Sequence, residues 1–270
     1  MLLQTKFGKV FKDASNLKFL FILPVLKTQI NCLMKQTNIL ILFLTLNVFA
    51  FTGCRKSAIQ KSSRNLSVNS AGEVSLLKES GISTLTLRPG PGTGQDAYVA
   101  EERNTESINV NYVPELSIAS WTIDGQLYRA ASYIRFDSLV EVPASSTVVS
   151  AKLYLYGLSS SSSTPQGNSG DNACYIKRVL EPWDESVINY ANRPQKTADE
   201  KVILPASTSQ WSYNPVIDVT SLVSYIVAHP SENFGFFVKL QTQEPYRSLV
   251  FGSSEQSDKN LRPKLVVKFK

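Results

Sequence analysis

The sequence SYIRFDSLVEVPASSTVVSAKLYLYG, residues 132–157 of a 270-residue chain, contains two segments in which apolar and polar side chains alternate. In the first segment Ile134 and Phe136 fall on one side, and Arg135 and Asp137 on the other. In the second segment one side carries the apolar residues Val149, Ala151, Leu153 and Leu155. Successive side chains of a strand point to opposite faces, so the pattern predicts two strands joined by a Pro-containing loop. Each strand has one apolar face, as expected in half of a two-layer sandwich.

Similar short runs recur along the rest of the chain, separated by turn signals. The clearest are NFGFFVKL (residues 233–240) and LVVKF (residues 265–269), and Asp124-Gly125 is a strong hairpin signal. One short helix is predicted over Leu222–Ala228, ended by His229-Pro230. Many short strands with one helix predict an all-β fold, a two-sheet antiparallel sandwich that begins near residue 84.

The net charge of +6 comes mainly from the N-terminal end of the chain. The first 53 residues contain six lysines and one aspartate, so the remainder carries 22 basic and 21 acidic residues. The nearly neutral remainder has no basic stripe with interleaved aromatic residues. We therefore expect no nucleic-acid partner.

The N-terminal residues have the pattern of a secretory leader. Met34-Lys35 precedes the apolar run Ile39–Phe51, which is too short for a stable membrane span and ends in Thr52-Gly53-Cys54. A cysteine after Thr-Gly resembles the lipobox of bacterial lipoproteins, which predicts a lipid on Cys54; an uncleaved leader or anchor helix is the alternative. We expect translation to start at Met34, residues 1–53 to form the leader, and residues 54–83 to form a lipidated flexible tether. The protein would then be lipid-anchored to the outer membrane of the cell envelope, on either its periplasmic or its outer face.

Two other features concern the folded part. Cys174 is the one cysteine outside the leader and Cys54, and its apolar surroundings predict a small buried side chain in a strand. The Ser-, Gly- and Asn-rich segment 157–171 is long for a compact domain, which suggests either a mobile tip or a functional loop.

Ten short motifs, taken together, resemble those of the DNRLRE domains, which overlap carbohydrate-binding module family 96 (disaggregatase-related domains). In order they are DAYV (96–99), NVNY (109–112), RFD (135–137), SAKL (150–153), WDES (183–186), NRP (192–194), DVT (218–220), NFGF (233–236), SSE (253–255) and RP (262–263). The resemblance covers roughly residues 84–270. It implies a jelly-roll-like β-sandwich without catalysis of its own that binds polysaccharide, alginate being the class associated with some members.

Flat aromatic rings that face sugars and cations that face sugar carboxylates are the side chains expected in such a binding site. The candidate ligand-binding residues are Tyr112, Trp121, Tyr128 and Arg129 in the loops before the central strands, and Lys152, Tyr154 and Tyr156 on one strand face. Oxygen atoms of Asp96, Asn109 and Asn111 are candidate ligands of a structural Ca²⁺; no other cofactor is expected.

The sequence motifs support catalysis less well than binding. The sequence has a single histidine, His229, and contains no P-loop, GxSxG or dinucleotide fingerprint. Glu185 with Asp184 or Asp137 is a conceivable pair of glycosidase carboxylates, and Tyr128-Arg129 a conceivable lyase pair. We expect no enzyme activity and favour an envelope-anchored polysaccharide-binding module that works with glycan-degrading enzymes or outer-membrane partners. A structural or adhesive protein that binds another protein is the alternative, and a polysaccharide lyase or hydrolase is the second alternative.

Overall fold

The fold consists of two antiparallel β-sheets, as described by a computed structural model for residues 62–69, 72–102, 106–110 and 113–270. In chain order, the first strands are β1 (Ser62–Asn69), β2 (Gly72–Glu79), β3 (Ile82–Pro89), β4 (Gln95–Glu102), β5 (Glu106–Val110), β6 (Glu115–Ile123) and β7 (Gln126–Arg135). The remaining strands are β8 (Val148–Tyr154), β9 (Cys174–Arg178), β10 (Val202–Leu204), β11 (Val216–Asp218), β12 (Phe236–Leu240), β13 (Arg247–Gly252) and β14 (Lys264–Phe269). The α-helix α1 spans Thr220–Ala228, and short 3₁₀ helices span Asp137–Glu141, Pro230–Glu232 and Lys259–Leu261.

Sheet 1 has the strand order β1-β2-β3-β14-β8-β11. Sheet 2 has the order β10-β9-β12-β7-β4-β5, and β6 pairs with both β7 and β13. The predicted all-β antiparallel sandwich is therefore confirmed. The predicted helix is also confirmed, since α1 covers it and the backbone leaves the helix at His229.

The stretch 132–157 connects the two layers instead of forming half of one. β7 lies in sheet 2 and β8 lies in sheet 1, and the 3₁₀ helix Asp137–Glu141 follows β7 on the path between them. Ile134 and Leu153 are each about 1% exposed or less and belong to the same core cluster. The apolar faces recognised in the sequence thus face each other across the sandwich.

Part of the predicted flexible tether, residues 54–83, forms strands β1 and β2 and the start of β3 in the structure. β1 pairs with β2, and β2 pairs with β3, so these residues extend sheet 1. Val74 and Leu76 lie opposite Leu87 and Leu85 and pack against the core, which supplies the apolar contact that holds β2 in the sheet. The leader, residues 1–53, and Cys54 lie outside the described residues.

The main core lies between the sheets and includes one side of α1. Leu85, Leu153 and Leu265 contribute from sheet 1, and Ile134 and Phe236 from sheet 2. The helix adds Leu222, Val223, Ile226 and Val227. Cys174 is fully buried in this core, as predicted, and burial raises the pKa of its thiol.

The Ser-rich segment after β8 is packed and bonded, unlike the mobile tip that its composition suggests. The Glu115 carboxylate accepts hydrogen bonds from Ser161 Oγ at 2.6 Å and from the Ser162 and Ser163 backbone N–H groups at 3.0 and 3.2 Å. Asn168 Oδ1 accepts from the Val250 N–H at 3.0 Å. The loop is therefore part of the fold.

Within the described residues, no helix combines the length and apolar character that a membrane span requires.

Candidate functional site

A second apolar cluster positions a cleft on the outer face of sheet 2. Tyr133 and Phe237 neighbour the core residues Ile134 and Phe236 in sequence, so alternation turns their side chains to the other face of the sheet. Trp183 and Ile188, from the segment that follows β9, pack on this face. The segment 181–197, here called the cleft segment, is thereby docked on the sheet.

The docking of the cleft segment is specific. The Trp183 ring lies 5.5 Å from the Tyr133 ring, centroid to centroid, and Trp183 Nε1 donates a hydrogen bond to the Phe234 carbonyl at 2.8 Å. Next to it, the Asn189 N–H donates to Asn192 Oδ1 at 2.6 Å, and the Asn192 N–H donates to Asn189 Oδ1 at 3.2 Å. These reciprocal bonds close a turn that fixes the residues between and beside them.

The space between sheet 2 and the cleft segment is a basic cleft of about 210 Å³. The sheet contributes Arg129, Ala130, Ala131, Phe237 and Lys239, the cleft segment contributes Tyr190, Arg193 and Lys196, and Gln243 completes the lining. Four of these residues are cations and two are aromatic.

Three of the four cations of the basic cleft are oriented by a ring or by a carboxylate. The Arg193 guanidinium lies 3.8 Å from the centroid of the Tyr190 ring, and Arg193 also donates to the Tyr190 carbonyl. Lys196 Nζ lies 4.6 Å from the Phe237 ring centroid. Arg129 forms an ion pair with Glu101 at 3.0 Å. Ring contacts orient a cation without removing its charge.

The electrostatics of the basic cleft show that cations crowd one another. Burial lowers the pKa of Lys196, and the nearby charges that lower it further are those of Arg193, Lys239 and Lys177. Burial also lowers the pKa of Lys239, with contributions from Lys177, Arg193 and Arg129. An anion placed among these groups would relieve the repulsion, so the cleft is suited to an anionic ligand.

Of the residues proposed from the sequence, the basic cleft contains Arg129. Trp121 and Tyr128 lie directly opposite each other on the hairpin formed by β6 and β7, which confirms the predicted turn at Asp124-Gly125. Tyr128 precedes Arg129 in β7 and therefore points to the other face of the sheet. The Trp121 ring contacts Tyr246 edge-on at 5.2 Å.

Lys152, Tyr154 and Tyr156 lie on the other layer of the sandwich. Leu153 points into the core, so its neighbours Lys152 and Tyr154 point outward from sheet 1. Lys152 forms an ion pair with Asp218 at 2.7 Å, and Lys264 Nζ lies 4.0 Å from the Tyr154 ring. In the same way, the guanidinium of Arg88 lies 5.3 Å from the Tyr156 ring. These side chains thus form a separate surface, away from the basic cleft.

The predicted calcium ligands are described only in part. Tyr112, a proposed ligand-binding residue, and Asn111 lie outside the described residues, and Asn109 is described only as part of β5. Asp96 is 1% exposed at the start of β4. In the described part of the chain, no three His, Cys, Asp or Glu side chains are arranged to hold a metal ion.

The carboxylates considered for catalysis face different surroundings. Asp137 pairs with Arg135 at 2.6 Å, and Asp184 accepts hydrogen bonds from the Ser186 N–H and Oγ at 2.8 and 2.7 Å. Glu185 instead accepts from the Asp96 N–H at 3.1 Å. The suggested lyase pair, Tyr128-Arg129, is divided between the two faces of sheet 2.

Sequence reasoning missed most of the basic cleft, namely Tyr190, Arg193, Lys196 and Lys239. One signal was present: Lys239 follows Phe237 by two residues, so both share the face of β12 that does not face the core. The contribution of the cleft segment had no comparable signal, because its position depends on how Trp183 docks.

Comparison with known proteins identifies the domain. The model of carbohydrate-binding module family 96 matches residues 92–269, more than half of the chain. None of the curated proteins compared with the chain matches it.

Proposed function

Because the chain belongs to carbohydrate-binding module family 96, we propose that it binds an acidic polysaccharide in the basic cleft. The family is one of binding modules and supports a polysaccharide as the partner. The observation that supports an acidic one is the convergence of Arg129, Arg193, Lys196 and Lys239 around one space.

The charges favour carboxylated sugars over neutral ones. A uronate carboxylate can accept paired hydrogen bonds from a guanidinium and a further bond from an ammonium group. The cleft offers both kinds of donor, and the lowered pKa of Lys196 and Lys239 reflects in part mutual repulsion that a bound anion would relieve. A neutral glycan would bring no charge to offset this repulsion.

The domain is proposed to act without catalysis and at the cell envelope. The lipobox-like Thr52-Gly53-Cys54 supports a lipid on Cys54 and attachment to the outer membrane. A binding module held there would keep an acidic glycan close to degrading enzymes or outer-membrane partners. Alginate is the glycan class that the family resemblance suggests.

Calorimetric titration of the full chain with alginate, polygalacturonate and a neutral glucan tests this function. We expect the acidic glycans alone to bind. Arg193→Gln combined with Lys239→Gln removes two charged donors, each worth ~1.5–3 kcal/mol, so affinity should fall by roughly a hundredfold or more.

Lys152→Gln is the matched control, because Lys152 is a cation of the other layer with its own partner, Asp218. Binding by this variant should equal that of the unchanged protein. Preference for the neutral glucan, or an equal loss in Lys152→Gln, would contradict the proposal. Release of unsaturated or reducing ends from alginate would instead reveal an enzyme.

A further inference from the structure

Three carboxylates from distant parts of the chain meet beside the cleft segment. Asp96 belongs to β4, Glu185 to the cleft segment, and Glu255 to the loop that follows β13. The Ser254 N–H, beside Glu255 in the chain, donates to Asp96 Oδ2 at 2.8 Å, and the charges of Glu255 and Glu185 both act on Asp96. Neither the candidate site nor the proposed function makes use of this cluster.

The hydrogen bonds of Asp96 are incomplete for an ionised carboxylate. Asp96 is 1% exposed, and its Oδ2 accepts from the Ser254 N–H at 2.8 Å. Its Oδ1 is buried and has no hydrogen-bond partner among the donors of the described residues. A buried carboxylate with one donor and carboxylate neighbours is strongly disfavoured in its charged form.

Glu255 has the opposite environment. Its Oε2 accepts from Ser253 Oγ at 2.8 Å, and its Oε1 accepts from Ser254 Oγ at 2.9 Å. Both carboxyl oxygens of Glu255 thus have a hydrogen-bond donor, whereas Asp96 Oδ1 has none among the described residues, so we place the shared proton on Asp96. In agreement, burial raises the pKa of Asp96 well above its ordinary value, and Glu255 raises it further.

The cluster is joined to the base of the cleft segment. Glu185 Oε2 accepts from the Asp96 N–H at 3.1 Å, and two residues earlier the Trp183 carbonyl accepts from Arg135 at 3.3 Å. The same segment carries Tyr190, Arg193 and Lys196 into the basic cleft.

We propose that a proton shared by Asp96 and Glu255 acts as a latch that holds the cleft segment, and thereby the basic cleft, in its binding arrangement. Protonated Asp96 donates to Glu255, so both carboxyl groups gain a hydrogen bond and one negative charge is removed. Loss of the proton places ionised Asp96 beside Glu255 and near Glu185, in surroundings where like charges repel strongly. The repulsion acts on Glu185 and so on the segment that presents the cleft cations.

The charged groups around the latch fix the direction of its response to pH. Glu255 and Glu185 both raise the pKa of Asp96, whereas the Ser254 N–H lowers it. Burial raises the pKa of Glu185, the Asp96 N–H and Arg135 lower it, and the charges of Glu255 and Asp184 raise it. The folded state therefore retains a proton that the unfolded chain releases, and stability is lost as the pH rises through the raised pKa of the pair.

The first experiment measures stability and does not depend on glycan binding. Urea unfolding of the full chain is followed from pH 4 to pH 9, with and without EDTA, for the unchanged protein and for Asp96→Asn. Each unit by which the pKa of Asp96 is raised lowers the folding equilibrium constant by about tenfold across this range. Asparagine keeps the shape of the protonated acid and cannot ionise, so this loss should disappear in Asp96→Asn.

One further test variant and one control variant complete this experiment. Glu255→Gln removes the other member of the pair and should reduce the pH dependence without abolishing it, because burial still raises the pKa of Asp96; it keeps the test valid if Asp96→Asn does not fold. Asp171→Asn removes an exposed carboxylate elsewhere and should leave the dependence unchanged. An identical pH dependence in the unchanged protein and both cluster variants would overturn the proposal. So would added Ca²⁺ that stabilises the unchanged protein alone and abolishes its pH dependence, because the cluster would then hold a cation.

The second experiment, which rests on the proposed function, measures the affinity for alginate oligomers between pH 5 and pH 9. We expect affinity of the unchanged protein to fall as the pH rises and that of Asp96→Asn to fall less. Protection factors of the amides of residues 186–197, taken relative to the intrinsic exchange rate at each pH, should fall as the pH rises in the unchanged protein. If stability depends on pH but neither the protection factors nor the affinity change, the latch is overturned and only the shared proton remains. Absence of glycan binding at every pH would contradict the proposed function and not the stability result.

Discussion

Lys196 Nζ lies 4.6 Å from the centroid of the Phe237 ring, so a residue of the cleft segment rests on a residue of β12. The contact joins the two walls of the basic cleft. It also keeps the ammonium charge at the surface of the cleft, because an aromatic face attracts a cation without neutralising it. The same contact that stabilises the cleft thus preserves its attraction for an anion.

The lowered pKa of Lys196 and of Lys239 predicts proton uptake on binding at alkaline pH. Between each lowered value and the ordinary Lys pKa of ~10.4, the free cleft has released protons that the unfolded chain still holds. A bound polyanion favours the charged amines and should draw protons from solution. Calorimetry of alginate binding near pH 9.5, in buffers of different ionisation enthalpy, measures this uptake.

Uptake should be smaller in Lys196→Gln and unchanged in Lys152→Gln, which alters a cation of the other layer. An apparent binding enthalpy that is independent of the buffer would show that neither cleft lysine changes its protonation on binding.

Tyr133→Phe should stabilise the domain. The Tyr133 side chain is fully buried, and its hydroxyl has no hydrogen-bond partner among the described groups. Removing an unsatisfied buried hydroxyl while keeping the ring should raise the free energy of unfolding by roughly 1 kcal/mol. Urea denaturation measures the change.

Tyr213→Phe is the opposite case, because the Tyr213 hydroxyl donates to the Pro205 carbonyl at 3.0 Å. This variant should lose about 1 kcal/mol. Destabilisation of similar size in both variants would mean that the Tyr133 hydroxyl is satisfied in solution.

Glu115→Gln should loosen the Ser-rich loop and destabilise the fold at neutral pH, with a smaller effect in acid. Burial opposes ionisation of Glu115, but hydrogen bonds from Ser161, Ser162 and Ser163 hold its pKa below the usual value. The resulting stability is present above the ordinary Glu pKa of ~4.3 and is lost as the pH falls through the lowered value. At neutral pH the variant should lose about 1.5–3 kcal/mol.

Urea unfolding at pH 7 and pH 3 checks this expectation, and the difference between Glu115→Gln and the unchanged protein should shrink at pH 3. Glu141→Gln, at an exposed position, should behave like the unchanged protein at both pH values. A constant difference at both pH values would assign the effect to packing and not to charge.

Gly235→Ala should be strongly destabilising. Gly235 has φ +79°, and an added Cβ would lie 2.3 Å from the Ile134 carbonyl oxygen and 2.8 Å from Arg135 Cα. Both atoms belong to the backbone of β7 at the centre of sheet 2, so the clash cannot be relieved by a side-chain rotation. We expect a loss of about 2–4 kcal/mol in urea unfolding.

Gly125→Ala separates the cost of a left-handed backbone from the cost of a steric clash. Gly125 has φ +74°, yet an added Cβ would meet no atom of the described residues within 4 Å. Its cost should be limited to the left-handed backbone, roughly 1–2 kcal/mol. Equal losses at the two positions would show that the clash with β7 is absorbed by the sheet.

The layers of the fold were predictable because burial on one face imposes alternation. The segments around Ile134, Leu153, Phe236 and Val267 each carry that pattern, and all four residues are buried in one cluster. The assignment of strands to sheets was not predictable in this way. Alternation gives the face of each strand but not its neighbour, so nothing local showed that β7 and β8 belong to different sheets.

The composition of residues 62–83 concealed strands β1 and β2. Serine is the commonest residue in this part of the sequence, whereas the contact that holds it consists of Val74 and Leu76 against β3. Two apolar residues suffice there because the strand also gains a ladder of backbone hydrogen bonds. The candidate site was still less predictable, because Arg193 and Arg129 are distant in sequence and meet only when Trp183 docks on Tyr133.

The early start of β1 sets how far the domain can move if Cys54 carries a lipid. Seven residues separate Cys54 from Ser62. Because a fully extended chain covers at most ~3.3–3.6 Å per residue, this linker spans at most roughly 25–30 Å. That reach is comparable to the thickness of a lipid bilayer. The glycan would have to approach the membrane to be captured, since the domain could not extend far to meet it.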